Sequence, residues 1–157
     1  MTANNTVTTD ATGITLSYLN GGYVYYPYVF SIDENWEFTV EIGAKTSGSQ
    51  HPYIAMAILD SNTLIQRDYI IMWSNSLLSY YPSKWPEDSS ELQYRTSFNV
   101  GDKLTVKREN GTTYVYLNNV LRLSHTHQYD GNIFLGYSLN NSTGGAMTIK
   151  NIKIKRL

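Results

Sequence analysis

Residues 74–91, SNSLLSYYPSKWPEDSSE, gather the side chains best suited to ligand chemistry in this chain: Tyr80, Tyr81 and Trp85, set among Ser, Lys, Asp and Glu. Flat rings of this kind stack on the C–H faces of a sugar while nearby polar groups bond its hydroxyls. A second group is Tyr23, Tyr25, Tyr26 and Tyr28. Strand alternation sets Tyr23 and Tyr25 on one face and Tyr26 and Tyr28 on the other, so that one pair is expected in the core. Trp73, in phase with Tyr69 and Ile71, joins the candidates, whereas Trp36 is in phase with core positions. The ligand-binding set read from sequence is therefore Tyr80, Tyr81, Trp85, Trp73, Tyr23 and Tyr25. The competing explanation for any one of them is packing, since aromatic residues also plug the ends of β-structures and favour strands.

Metal chemistry has weaker support. Asp60, Asn62, Asp68 and the Asn140-Asn141 turn supply hard oxygen ligands of the kind Ca²⁺ takes, but in no spacing that specifies it. Asx residues in turns ordinarily bond their own backbone. The run His125-Thr126-His127 could set two imidazoles on one side of an extended segment, yet His51 is distant and no cysteine completes a set. These read as solvated loop histidines, and no metal or cofactor is assigned. Catalysis by glycoside hydrolysis needs two convergent carboxylates. Glu37 and Glu41 share a strand face, and Glu87, Asp88 and Glu91 sit in the aromatic segment. No G-x-S-x-G elbow or phosphate-binding glycine loop is present, so no catalytic residue is assigned and no enzyme is expected.

The elements that must position these residues are strands. Trp36, Phe38, Val40 and Ile42 alternate with Glu37, Thr39 and Glu41, giving the clearest half-buried strand in the chain. Strands are also expected at 14–18, at 23–32 with an edge or a break at Pro27, at 53–59 and at 64–73. Residues 74–91 read largely as loop. From Val100 onward five short alternating segments follow, with tight turns at Asn110-Gly111 and Asn118-Asn119 and a phase slip near Asn151 that predicts a bulge. No helical apolar period is sustained, so the expected fold is all-β, an antiparallel two-sheet β-sandwich.

The order of that last run resembles the closing half of concanavalin A-like (laminin-G-like) jelly-roll domains. The residues that carry the likeness are Gly101, Asp102, Leu104 and Val106; Asn110 and Gly111; Val115 to Asn118; Gly131, Ile133, Leu135 and Gly136; and Ile149, Asn151, Ile152, Lys153 and Ile154. The resemblance implies a concanavalin-like jelly roll, in which some relatives hold Ca²⁺ near the binding edge. Glycosidases of this fold share an acidic strand motif, Glu-x-Asp-x-x-Glu, which this chain lacks.

The chain has 157 residues, enough for one domain with a substantial core, and 1–12 reads as a polar tether or edge segment ahead of a sandwich spanning 13–157. A net charge of -1 with 16% charged residues gives no basic face for nucleic acid, and no run is long and apolar enough for membrane insertion. The start is polar and unlike a secretory signal. Zero cysteines are neutral as to compartment, but 14 tyrosines among abundant Thr, Ser and Asn suit an extracellular, cell-surface or virion protein. The expected function is a noncatalytic carbohydrate-binding or attachment module whose partner is a cell-surface or cell-wall glycan. The alternatives are a structural module of a phage tail, fibre or capsid that contacts other subunits, and a divergent glycoside hydrolase.

Overall fold

A computed structural model describes residues 5–10, 13–18, 22–46, 53–63, 66–73, 77–81, 94–126, 131–140 and 146–157. All the regular structure in them is antiparallel strand. In chain order these are β1 (Asn5–Asp10), β2 (Gly13–Tyr18), β3 (Gly22–Phe30), β4 (Trp36–Thr46), β5 (Tyr53–Asp60), β6 (Gln66–Trp73) and β7 (Leu77–Tyr81). They continue as β8 (Tyr94–Ser97), β9 (Lys103–Glu109), β10 (Thr112–Leu117), β11 (Val120–Thr126), β12 (Ile133–Asn140) and β13 (Ala146–Arg156). A seven-stranded sheet runs β1-β2-β13-β4-β9-β10-β11 and a six-stranded sheet runs β3-β12-β5-β6-β7-β8. Chain neighbours β4 and β5, like β12 and β13, lie in different sheets, which is the crossing pattern of a sandwich.

Alternation makes the core. Trp36, Phe38, Val40 and Ile42 of β4, Leu104 and Val106 of β9, Val115 and Leu117 of β10 and Ile149 of β13 are buried together with Phe30, Ile58, Ile70, Tyr80, Ile133 and Leu135 of the other sheet. A single cluster thus joins both sheets, as period-2 burial demands of two packed layers. At one end Trp36 packs on Phe30 at 6.3 Å, and the Arg156 guanidinium lies 5.6 Å above the Phe30 ring.

The predicted turns form for the predicted reason. Asn110 and Gly111 have φ of 49° and 76°, and Asn118 and Asn119 have 52° and 64°, so both hairpins use left-handed pairs that match the twist of the strands they join. Asp102 accepts from the Asn99 N–H and the Asn118 amide, while Asn118 accepts from the Lys103 N–H. Gly101-Asp102 therefore acts as framework, tying the entry of β9 to the β10–β11 turn.

Pairing is irregular at several places, and three of them shape the faces described below. The bulge expected near Asn151 is present: Lys150 pairs with Glu41 and Lys153 with Thr39, and Asn151 has a φ of 51°. Pro27 lies in an edge strand, β3, whose register with β12 shifts between Tyr25 and Val29. At Gly43 a Cβ would come within 2.7 Å of the Thr148 carbonyl, beside a second irregularity between β4 and β13.

Two expectations are corrected. Residues 77–81 form β7, not loop, because Leu78 and Tyr80 continue the inner phase of the six-stranded sheet opposite Met72 and Ile70. His125 lies on strand β11, paired with Thr113, and not in a loop; His127 is outside the described residues.

Candidate functional site

Strand register sorts the sequence candidates. Tyr80 pairs with Ile70, and both are core residues at 1% and 0% exposure. Tyr80 thus leaves the ligand set. Adjacent strand residues take opposite phases, so Tyr81, one position on, falls in the row of Tyr69, away from the core row. Trp85 lies outside the described residues.

The rows of this outer phase run across the six-stranded sheet. One is Tyr25, Gly136, Ala57, Tyr69 and Tyr81; the next is Tyr23, Ser138, Ala55, Ile71, Ser79 and Arg95; a third is Asn140, Tyr53 and Trp73. Val29, in the same phase of β3, is 44% exposed, while Phe30 beside it is buried. Tyr23, Tyr25, Trp73 and Tyr81 therefore belong to one face, which β3, β6 and β7 present. At its centre, on β12 and β5, stand Gly136, Ser138, Ala55 and Ala57, four residues with little or no side chain. With strands ~4.8 Å apart, Tyr25 and Tyr69 flank this patch across about 14 Å. Sequence reasoning did not single out Tyr53 and Tyr69 as ligand residues, although their phase with Trp73 and with the two alanines was the available signal.

The outer face of the seven-stranded sheet is different. Glu37 pairs with Lys155 at 3.1 Å, Lys107 with Glu109 at 2.8 Å, and Glu41 with Lys150 at 3.7 Å while accepting from the Asn151 amide at 2.6 Å. Glu109 holds the Lys107 ammonium above its ordinary range, chiefly through that hydrogen bond. Thr39 and Thr105 share a hydroxyl hydrogen bond of 3.1 Å and are nearly buried between these long side chains. Tyr114 and Tyr116 lie stacked on the same face, 6.4 Å apart.

Of the oxygen-rich and imidazole candidates, Asn141, His51 and His127 lie outside the described residues. Asp60 Oδ1 accepts from the Asn62 and Thr63 N–H groups and from the Thr63 hydroxyl, the local bonding expected of an Asx turn. Among the described residues no group of three or more His, Asp or Glu is placed to hold a metal ion, and no helix is long and apolar enough to cross a membrane.

Comparison with solved structures bears on the fold. The carbohydrate binding module CBM66 from Bacillus subtilis superposes with a TM-score of 0.68 at 13% identity, over 97% of this chain and 92% of that one. The carbohydrate recognition domain of Emp47p gives 0.70 at 10% identity, over 97% and 86%. Alginate lyase AlgAT5 from polysaccharide lyase family 7 gives 0.65 at 13% identity, over 100% and 84%. These are concanavalin A-like jelly rolls, and this chain has that fold. No model of a known protein family matches the sequence, and no curated protein does.

Proposed function

We propose that this chain is a noncatalytic carbohydrate-binding module, displayed on a cell surface or a virion, that attaches to cell-surface or cell-wall glycans through the outer phase of its six-stranded sheet. The observation that carries this reading is the patch of Gly136, Ser138, Ala55 and Ala57 bordered by Tyr23, Tyr25, Tyr53 and Tyr69 and, farther out, by Trp73 and Tyr81. A floor of small residues lets a ring approach the sheet, and aromatic residues at its margins offer stacking partners. A binding module and a recognition domain for carbohydrate share the fold, which agrees with the reading without identifying a ligand.

An alginate lyase shares the fold too; against a glycoside hydrolase, the noncatalytic part rests on the carboxylates. Glu37 and Glu41 stand four residues apart on one strand, about 13 Å along it, and each is engaged by a lysine. Glycosidase pairs work at about 5–9.5 Å. Sugar release from a polysaccharide panel, lost in Glu37→Gln or Glu41→Gln, would overturn this part.

The binding claim is tested by electrophoresis through gels containing neutral cell-wall polysaccharides. At least one polymer should retard the protein, and Trp73→Ala and Tyr81→Ala should each abolish the retardation with an unchanged melting temperature. No retardation by any polymer contradicts the proposal. A second reading, a structural module, is favoured by Val120 and Leu121, 52% and 50% exposed on the edge strand β11. That reading requires a defined oligomer in light scattering at micromolar concentration, and a monomer excludes self-assembly.

A further inference from the structure

The described lysines on the outer face of the seven-stranded sheet differ in their charge pairing. Lys107, Lys150 and Lys155 each have a carboxylate partner. Lys103 of β9 and Lys153 of β13 have none among the described residues; both are exposed, and both line one groove of about 360 Å³ with Thr39, Glu41, Gly101 and Asn151. Lys103 also lines an adjoining groove of about 260 Å³ with Glu37, Thr105, Lys107, Tyr116 and Asn119. The hydrogen-bonded pair Thr39 and Thr105 contributes one residue to each. The two hollows share Lys103 as a lining residue and together, as a trough, span β13, β4, β9 and β10, about 14 Å from first strand to last.

The bulge in β13 builds this arrangement. Lys150 and Lys153 are three residues apart, an odd spacing that would put them on opposite faces of a regular strand. The extra residue at Asn151, in the left-handed region and tied to Glu41, returns Lys153 to the outer phase opposite Thr39. Bulges of this kind re-aim side chains at functional surfaces. Lys103 pairs in register with Glu41, two positions along β4 from the Thr39 that faces Lys153, so the two lysines stand on a diagonal across β4.

We propose that this trough is a second saccharide site, specific for glycans that carry carboxylates, that is, uronate-containing chains. Two unpaired ammonium groups supply the charge that selects an anion. Threonine hydroxyls and the amides of Asn119 and Asn151 suit sugar hydroxyls, and the Tyr116 ring gives a wall for stacking. The site lies on the opposite sheet from the aromatic face and stands or falls separately from it.

The test is calorimetric titration of the whole chain with oligogalacturonate, its neutral counterpart oligogalactose, and dextran sulfate, at 20 and 300 mM salt. Oligogalacturonate should bind and weaken with salt. Lys103→Gln and Lys153→Gln should each reduce that affinity at least fivefold, and Lys155→Gln, the same charge change at a paired lysine, less than twofold. Trp73→Ala should leave oligogalacturonate binding unchanged, which separates this site from the aromatic face. Three results overturn the proposal: no binding of oligogalacturonate, equal losses in all three lysine variants, or binding of dextran sulfate or oligogalactose at least as tight as that of oligogalacturonate.

Discussion

Lys107 and Glu109 show how this molecule handles charge. Their contact is half-exposed, so it adds little stability, but it raises the lysine above its ordinary 10.5. A raised lysine pKa means that the pair's contribution is complete below about pH 10 and is lost as pH rises through the folded-state value. Glu109→Gln should therefore lower the Lys107 midpoint in an NMR titration toward the ordinary value; an unchanged midpoint would show that the carboxylate is not the cause. Asn118 is the second telling residue, because it combines a left-handed backbone with side-chain bonds to Asp102 and the Lys103 N–H. Asn118→Ala should cost about 1–3 kcal/mol in urea melts, the sum of backbone strain and lost hydrogen bonds. The contrast between Tyr80 and Tyr81 was not legible in the sequence, since two adjacent tyrosines after Leu-Leu-Ser leave the phase undecided. Ile70, the register partner of Tyr80, decides it, and that pairing is tertiary information. Tyr80→Ala should accordingly cost about 3–5 kcal/mol in the same melts, whereas Tyr81→Ala should leave stability nearly unchanged.

Among the elements, β4 and β13 are where backbone geometry is most exacting. Gly43 is buried where β13 crosses close by, and any Cβ there meets the Thr148 backbone and side chain. Gly43→Ala should destabilise the protein by about 1–3 kcal/mol; a neutral result would mean that β13 shifts freely. At the bulge, Asn151→Gly should preserve the fold because glycine accepts positive φ, while Asn151→Val should lose about 1–3 kcal/mol. Hairpins built on Asn-Gly and Asn-Asn were legible because the turn residues state their own dihedrals. The alternation of β4 was equally plain, as was the phase slip at Asn151. What escaped the sequence was β7, whose five residues carry too short a pattern to register without the neighbouring strand, and the pairing of charges across strands. The odd spacing of Lys150 and Lys153 hides their shared face until the bulge is placed.

At the scale of the whole molecule, two sheets enclose one core and turn unlike faces outward. By register, the outer rows of the six-stranded sheet set small residues between aromatic ones, and among the described lysines of the seven-stranded sheet Lys103 and Lys153 have no carboxylate partner. The concanavalin A-like architecture was legible from the C-terminal cassette, whose regular positions are turns and core residues. The faces were less so: Tyr23, Tyr25, Trp73 and Tyr81 come from three strands, and only sheet order brings them together. The chain's net charge of -1 likewise conceals a local excess of positive charge in one trough. The central claim is that the aromatic face of the six-stranded sheet binds glycan. Titration of the most retained neutral polysaccharide into wild-type protein and into Trp73→Ala tests it most directly. Trp73→Ala should lose tenfold or more in affinity, ~1.4 kcal/mol, with the melting temperature unchanged; equal affinities in the two proteins would rule out glycan binding by this face.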